Sequence, residues 1–355
     1  MLHRGFKDAV PGLAECEQIY WIGFMKDFGI IIACCYQDYL FAKGCCASIR
    51  HFLNDVPICL IVDGTFDTSS LERLYGATVI NHNTVKTSAL RQRSFGWGLT
   101  KMIAFFESPW PHFLFLDADT NVWGNVLQFA DFQNYDAILD KPCYTYTDAQ
   151  ICEFFFETSE IEKHFPEFPW QRYRDDYFCT GTFFAKRDLF TLEEYFSILD
   201  FHQAHPGIFK YGEMGFLNFM LFRAFDQGRI KLTSADMQVI APDFPKDELA
   251  KRFPVGHQGP IVQGNDAAVI HWAGPKPRLG THATYSLPMD FSRRKFLKDD
   301  RNLTGPQADS LLRYEDTISL MEVYKNKALK KLRKLKVSFK RATPTQVTLG
   351  KGSGN

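Results

Sequence analysis

The chain has 355 residues, 41 of them basic and 41 acidic, with 45% hydrophobic and 15% aromatic side chains. That composition excludes a disordered or collagen-like polymer and supplies enough apolar material for one large domain or two modest ones. The zero net charge is uneven: residues 325–355 hold ten Lys or Arg and no acid, which leaves −10 on residues 1–324, so neutrality excludes no polyanionic partner.

Residues 1–28 read as an extension without a long apolar core after their basic residues, and no stretch approaches the ~18 apolar residues of a spanning helix. The expectation is a cytoplasmic protein. Nine cysteines, an odd number with no CxxC spacing, fit buried free thiols better than a disulfide or zinc framework. GIIIACC (29–35) is a short unbroken apolar run, followed by the polar turn YQDY, a helical pattern through FAKGCCASIRHFL and a second run, VPICLIVDG (56–64). Unbroken runs joined by helices are the mark of buried parallel strands. GATVIN (76–81) reads as a third strand, WGLTKMIAFFE (97–107) as a helix and HFLFL (112–116) as a strong strand entering DADTNVWGNV. This is a doubly wound α/β pattern, which places nucleotide at the carboxyl ends of the strands.

Past residue 136 the strand-like AILD and FCTGTFFA flank an aromatic, charged segment at 141–177. Residues 213–225 read as a helix, and 238–242 and 267–272 as short strands. From Thr304 a helical period runs into KNKALKKLRKLKVSFKR, where Leu329, Leu332 and Leu335 recur among lysines and arginines. That is a basic amphipathic helix, fitted either to an anionic membrane surface through 325–341 or to the flank of the body. The tail lacks the interleaved aromatics of a nucleic-acid stacking surface, so no nucleic-acid partner is expected.

Two segments carry chemistry. In FLFLDADTN (113–121) an apolar strand ends in Asp117-Ala118-Asp119, and two carboxylates so close repel unless a cation lies between them. Hard oxygen ligands suit Mg²⁺ or Mn²⁺, and such a cation can bridge a diphosphate. In VIHWAGPKP (269–277) a strand delivers His271, and a turn with Gly274, Pro275 and Pro277 presents Lys276, suited to phosphate oxygens. Imidazole at a mixed site favours Mn²⁺.

GLTKMIAFFESPWPHFLFLDADTNVWGNV (98–126) closely resembles glycosyltransferase family 8 enzymes such as glycogenin, galactinol synthase and bacterial lipopolysaccharide transferases. The resemblance extends, in order, to YLFAKGCCASI, FCTGTFF (178–184), GEMGFLN (212–218) and HWAGPKP, over about residues 29–280. It implies a GT-A nucleotide-diphospho-sugar transferase fold, a mixed, mostly parallel central sheet flanked by helices, spanning 29–290. A helical segment with the basic tail would follow at 291–355. The resemblance further implies a UDP-hexose donor, Mn²⁺ held by Asp117, Asp119 and His271, diphosphate on Lys276 and retention at the anomeric carbon. Asp38, Tyr39 and Phe41 would surround uracil and ribose, and Lys101 would face the donor. Arg91 and Arg93 lie near the family's donor arginine, Ala118, Gly181 and Gly274 fall within the matched motifs, and Asp140 resembles an aspartate that contacts the donor sugar. Where relatives carry Asn before the small residue and Gly, this chain has Cys179, and where they carry Asp-Gln-Gly it has Glu213-Met214-Gly215. Met214 removes an amide donor, worth ~1–3 kcal/mol in donor choice. Glu213 and Asp140 are the candidates for nucleophile or cation stabiliser.

The acceptor, a glycan or a lipid-linked sugar, is expected at 141–177, with Tyr144, Tyr146, Phe168, Trp170 and Tyr173 stacking on sugar faces and Asp175 and Asp176 binding hydroxyls. With the basic tail, that places the protein at the inner face of a membrane. Two other readings stay open: a nucleotidyltransferase of related fold, for which ACCYQDY lacks the glycine-rich loop, and a catalytically inactive sugar-binding scaffold.

Overall fold

A computed structural model describes residues 26–96, 98–264, 268–280 and 284–342, apart from the side chains of 330–342. Cys16, most of the expected N-terminal extension and the extreme C-terminus lie outside the described residues. The unbroken apolar runs form the centre of a seven-stranded sheet: β1 (Phe28–Cys35), β2 (Ile58–Asp63), β3 (Thr78–Asn81) and β4 (His112–Asp117). After the short β5 (Thr120–Val122) come β6 (Ala137–Asp140), β7 (Thr182–Lys186) and β8 (Leu232–Ala235), giving the order β3-β2-β1-β4-β7-β6-β8. All neighbours run parallel except at β7, which is antiparallel to both β4 and β6. The sheet is therefore mixed and mostly parallel, with helices on both faces.

Side chains two apart share a face of a strand, and the two layers divide accordingly. Ile31, Ile61, Phe113 and Phe115 join an aromatic-rich layer with Phe105, Phe183 and Phe219, whereas Ile30, Ile32, Leu114 and Leu116 meet α1 (Tyr39–Phe52) on the other face. A second, three-stranded sheet sets β12 (Val269–His271) between β5 and β9 (Gln238–Ile240), while β10 (Val255–Gly256) and β11 (Gly259–Pro260) form a small hairpin. Its register puts His271 opposite Thr120, one residue beyond Asp119.

The expected helix at 97–107 is divided: a 3₁₀ turn, Leu99–Ile103, precedes one α-turn, Ala104–Glu107. Gly96 and Gly98, both at φ 81°, set up that tight entry. The FCTGTFFA strand begins at Thr182, and the Asp117 N–H, donated to the Gly181 carbonyl at 2.9 Å, continues the antiparallel pairing with β4 one residue before it.

Two further helices, α2 (Leu192–Ala204) and α3 (Glu213–Asp226), lie in the aromatic layer, and α4 (Leu287–Arg301) packs along α1. The last helix, α5, runs unbroken from Gly305 to Ala342. Arg293 of α4 is buried and ion-pairs with Asp316 of α5 at 2.9 Å, while the other Asp316 oxygen accepts the Leu279 N–H at 2.8 Å. The start of α5 thus fastens the turn that follows β12. The eight described cysteines are unpaired thiols. Among the described residues, no helix is long and apolar enough to cross a membrane.

Candidate active site

Parallel strands bring their carboxyl ends to one edge, and antiparallel β7 brings its amino end there too. Cys35 at the end of β1 and Asp38 just beyond it, Asp63 at the end of β2, Asp117 at the end of β4 and Cys179-Thr180 before β7 consequently share one cleft of about 620 Å³. The turn from Asp117 to Thr120 is tied down twice. Thr120 Oγ1 donates to the Asp117 carbonyl at 2.8 Å, and the Trp272 N–H donates to the Asp119 carbonyl at 3.1 Å. These bonds fix the DAD carboxylates against the end of β12.

There His271 Nε2 lies 3.7 Å from Asp117 Oδ2 and 3.5 Å from Asp119 Oδ1, and one ligand atom from each residue falls within 4.8 Å of the others. Two carboxylates and an imidazole are a donor set that fits Mn²⁺. Gly181 makes the approach feasible, since a Cβ there would lie 2.9 Å from Nε2 and closer still to Cε1 and Nδ1 of the ring. The other ring nitrogen, Nδ1, faces Cys179 Sγ at 3.7 Å, a partner that orients the ring.

The electrostatics are tightly paired. Burial would raise the Asp119 carboxyl, but Lys276, in direct ion pair with it, and His271 outweigh burial and hold it below the usual carboxylate range. Burial opposes charge on Lys276 too, and Asp119 and Asp38 overcome it and raise the amine. Lys101 is only 4% exposed, yet it contacts Glu213 Oε1 at 2.5 Å and Asp117 Oδ1 at 3.1 Å and donates to the Thr180 carbonyl at 3.0 Å. Against the penalty of burial, those two carboxylates push its amine up. Lys101 is thus a buried bridge that locks Glu213, the first residue of α3, to the end of β4. Glu213 also receives the Thr180 hydroxyl at 2.9 Å.

Of the residues expected from sequence, Asp38, Lys101, Asp117, Ala118, Asp119, Glu213, His271, Gly274 and Lys276 line this cleft, and Gly181 stands directly behind His271. Others do not reach it. Tyr39 turns inward to Ser70 and Phe66, and Phe41 is fully buried beneath Arg278 and Arg293; two residues apart on α1, they face opposite sides of the helix, and both sides are packed. Arg91 bonds the Val85 carbonyl, and Arg93 pairs with Asp200 over the Phe196 ring. Asp140 lies in an adjoining side pocket, where it accepts the N–H groups of Met237 and Gln238. On the expected acceptor side, Phe168, Trp170 and Tyr173 belong to the aromatic core. Asp175 is bonded to Thr145, and Asp176 stands half-buried outside the cleft lining. Tyr144 lines the cleft, with Tyr146 beneath it.

Sequence reasoning missed Phe154, Tyr211 and Asp243, which also line the cleft. Tyr211 is 65% exposed and sits at φ 48° beside Gly212, φ 66°. An aromatic-glycine pair immediately before a helix was the signal available for it.

No family model matches the chain, and no curated protein does. Solved structures do resemble it. The glycosyltransferase GlyE from Streptococcus pneumoniae TIGR4 is 13% identical over 81% of this chain and 63% of its own, at a TM-score of 0.46. The bifunctional glycosyltransferase WbbM, in its apo form, is 13% identical over 81% of this chain and 51% of its own, at 0.48. A galactosyltransferase, LgtC, in complex with donor and acceptor sugar analogues is 13% identical over 78% of this chain and 96% of its own, at 0.46. The chain thus spans less than two thirds of the length of the first two of these proteins.

Proposed function

We propose that this chain is a Mn²⁺-dependent, retaining glycosyltransferase of the GT-A, family 8 type that moves a hexose from a nucleotide sugar, with uridine as the base, to an acceptor hydroxyl. The observation that carries the reading is the convergence of Asp117, Asp119 and His271 within 4.8 Å at the strand ends of a large cleft. These three side chains would hold the cation. A divalent ion bound there supplies neutralising charge for a departing nucleoside diphosphate. Lys276, presented by the turn after β12, meets the same phosphates by exchanging part of its contact with Asp119. Glu213, held rigid by Lys101 and Thr180, faces the region of the donor sugar, and preorganised charge of this kind lowers the barrier without reorganising during the reaction. Asp38 and the end of β1 form the side assigned to the nucleoside. Tyr144, Phe154 and Tyr211 form the acceptor side, and the basic segment 325–341 supports a peripheral encounter with anionic lipid.

The test is nucleotide release and thermal shift across a panel of nucleotide sugars with and without Mn²⁺. A uridine-linked sugar should stabilise the protein and be cleaved in a Mn²⁺-dependent manner, and Asp119→Ala should abolish both while the chain stays folded. Absence of any Mn²⁺-dependent shift or release across the panel, or full activity of Asp119→Ala in chelated buffer, sinks the reading.

A further inference from the structure

A second pocket, of about 100 Å³, shares Tyr144, Cys179 and Asp243 with the main cleft and extends from there to Asp140, Cys143 and Gln238. Gln238, on β9, is 5% exposed. Its carboxamide nitrogen donates to Asp140 Oδ2 at 3.0 Å and to the Cys179 carbonyl at 2.9 Å, which fixes the amide orientation. The oxygen, Oε1, is left buried with no hydrogen-bond partner. A buried acceptor without a donor is costly, and such groups recur where a ligand completes the bonding.

The surroundings favour a donor that is not an anion. Asp140, Asp236 and Asp243 all act on Cys143, and after burial itself they are what pushes its thiol up. Two cations also line the pocket. Arg252 is spread over the rings of Phe244 and Phe253 at 5.4 Å each, and Lys141 acts on Asp176. Gln238 Oε1 is thus an unfilled acceptor in the buried wall, and the exposed Asp236 and Asp243 stand around the mouth.

We propose that this side pocket seats a hydroxyl of a non-anionic sugar acceptor, with Gln238 Oε1 receiving its hydrogen bond. The proposal rests on the glycosyltransferase reading and narrows it: phosphorylated and carboxylated sugars are disfavoured as acceptors.

The experiment uses the full chain with Mn²⁺ and two readouts: saturation-transfer NMR of sugar binding without donor, and nucleotide release from a UDP-sugar without acceptor. The probes are the methyl glycosides of glucose, galactose and mannose against the 6-phosphates of the same sugars. At least one glycoside should bind about tenfold more tightly than its phosphate, one unmatched buried hydrogen-bonding group being worth that much. Cys143 is exposed at the rim, so Cys143→Phe fills the pocket; it should weaken glycoside binding about tenfold while Cys143→Ser does not. Asp236→Asn, an exposed change, should strengthen binding of the phosphates about two- to threefold. Equal binding of phosphates and glycosides, no binding of any glycoside, or indifference of glycoside binding to Cys143→Phe overturns the proposal. Loss of glycoside binding in Cys143→Phe without nucleotide release in any variant would instead leave the pocket standing and remove the transferase reading.

Discussion

Gly181→Ala is the sharpest probe of the metal site because the backbone itself tolerates the change. Gly181 is not among the glycines with positive φ, so alanine brings no left-handed strain. The conflict is with one ring. The added methyl would lie 2.9 Å from His271 Nε2 and closer to Cε1 and Nδ1, whereas carbon packs at about 3.5–4.0 Å, so the ring must retreat by about 1 Å. The Gly181 carbonyl is bonded to the Asp117 N–H at 2.9 Å, which resists movement of the backbone in place of the ring. Metal–ligand distances tolerate only about 0.2 Å. Displacing His271 should then weaken Mn²⁺ binding about 10- to 100-fold, the range found when a ligand loses its supporting shell. Mn²⁺ titration by electron paramagnetic resonance reads the affinity directly, and a denaturant midpoint separates it from loss of fold. In a His271→Ala background the methyl meets no ring, so the same substitution should add little. Wild-type Mn²⁺ affinity in a well-folded Gly181→Ala protein would refute the assignment of His271 as a ligand.

Lys101→Met leaves Asp117 and Glu213 without their shared buried cation and should destabilise the chain by about 3–5 kcal/mol in urea unfolding, and an unchanged midpoint would contradict the bridge. Asp140, 4% exposed, is raised from 3.8 to about 7 chiefly by burial, so the folded chain holds a proton that the unfolded chain has released. Stability should therefore fall as pH rises from about 4 through 7, by on the order of 4 kcal/mol from this group, and Asp140→Asn should flatten that part of the profile. Removing residues 325–355 should weaken sedimentation with anionic liposomes in low salt, and equal binding by both forms across a salt series would rule out a lipid role for the tail.

What the sequence made legible follows from where each signal is stored. β1, β2 and β4 are buried on both faces, so their identity lies in unbroken apolar runs. β8 is half-exposed throughout, and β5 is three residues long directly after the DAD turn, so neither leaves a periodic trace. The helix α4 is hidden by its charges, because Arg293 is buried against Asp316 and reads as surface in a one-dimensional pattern. Asp117, Asp119 and His271 were picked out from their motifs, and they meet because Asp117 ends β4, His271 ends β12, and β5, which follows Asp119 directly, pairs with β12. Tyr39, Phe41, Arg91 and Arg93 were not placed by their spacing, because the face a helix turns to the cleft is decided by what packs on its other side. Lys101 was picked from its motif, but its role as a bridge depends on Glu213, which only the meeting of α3 with the 3₁₀ turn brings within reach.

The division of charge first visible in composition runs along a single helix. The first turns of α5 carry Glu315 and Asp316, which pair with Lys43 and Arg293, and Ser319, which receives Arg278. Asp316 also holds the Leu279 N–H, three residues from Lys276. From Lys325 onward the same helix bears only cations, starting about 15 Å further along at 1.5 Å per residue. An acidic anchor and a cationic arm are thus continuous. Glu315 and Asp316 are taken up by internal ion pairs that brace the turn presenting Lys276, while Lys325, the first cation of the arm, pairs with Glu322 one turn before it at 3.4 Å. A net charge of zero therefore coexists with a strongly directional one, and in the proposed encounter with anionic lipid the helix that meets the surface is the one that braces the turn presenting Lys276.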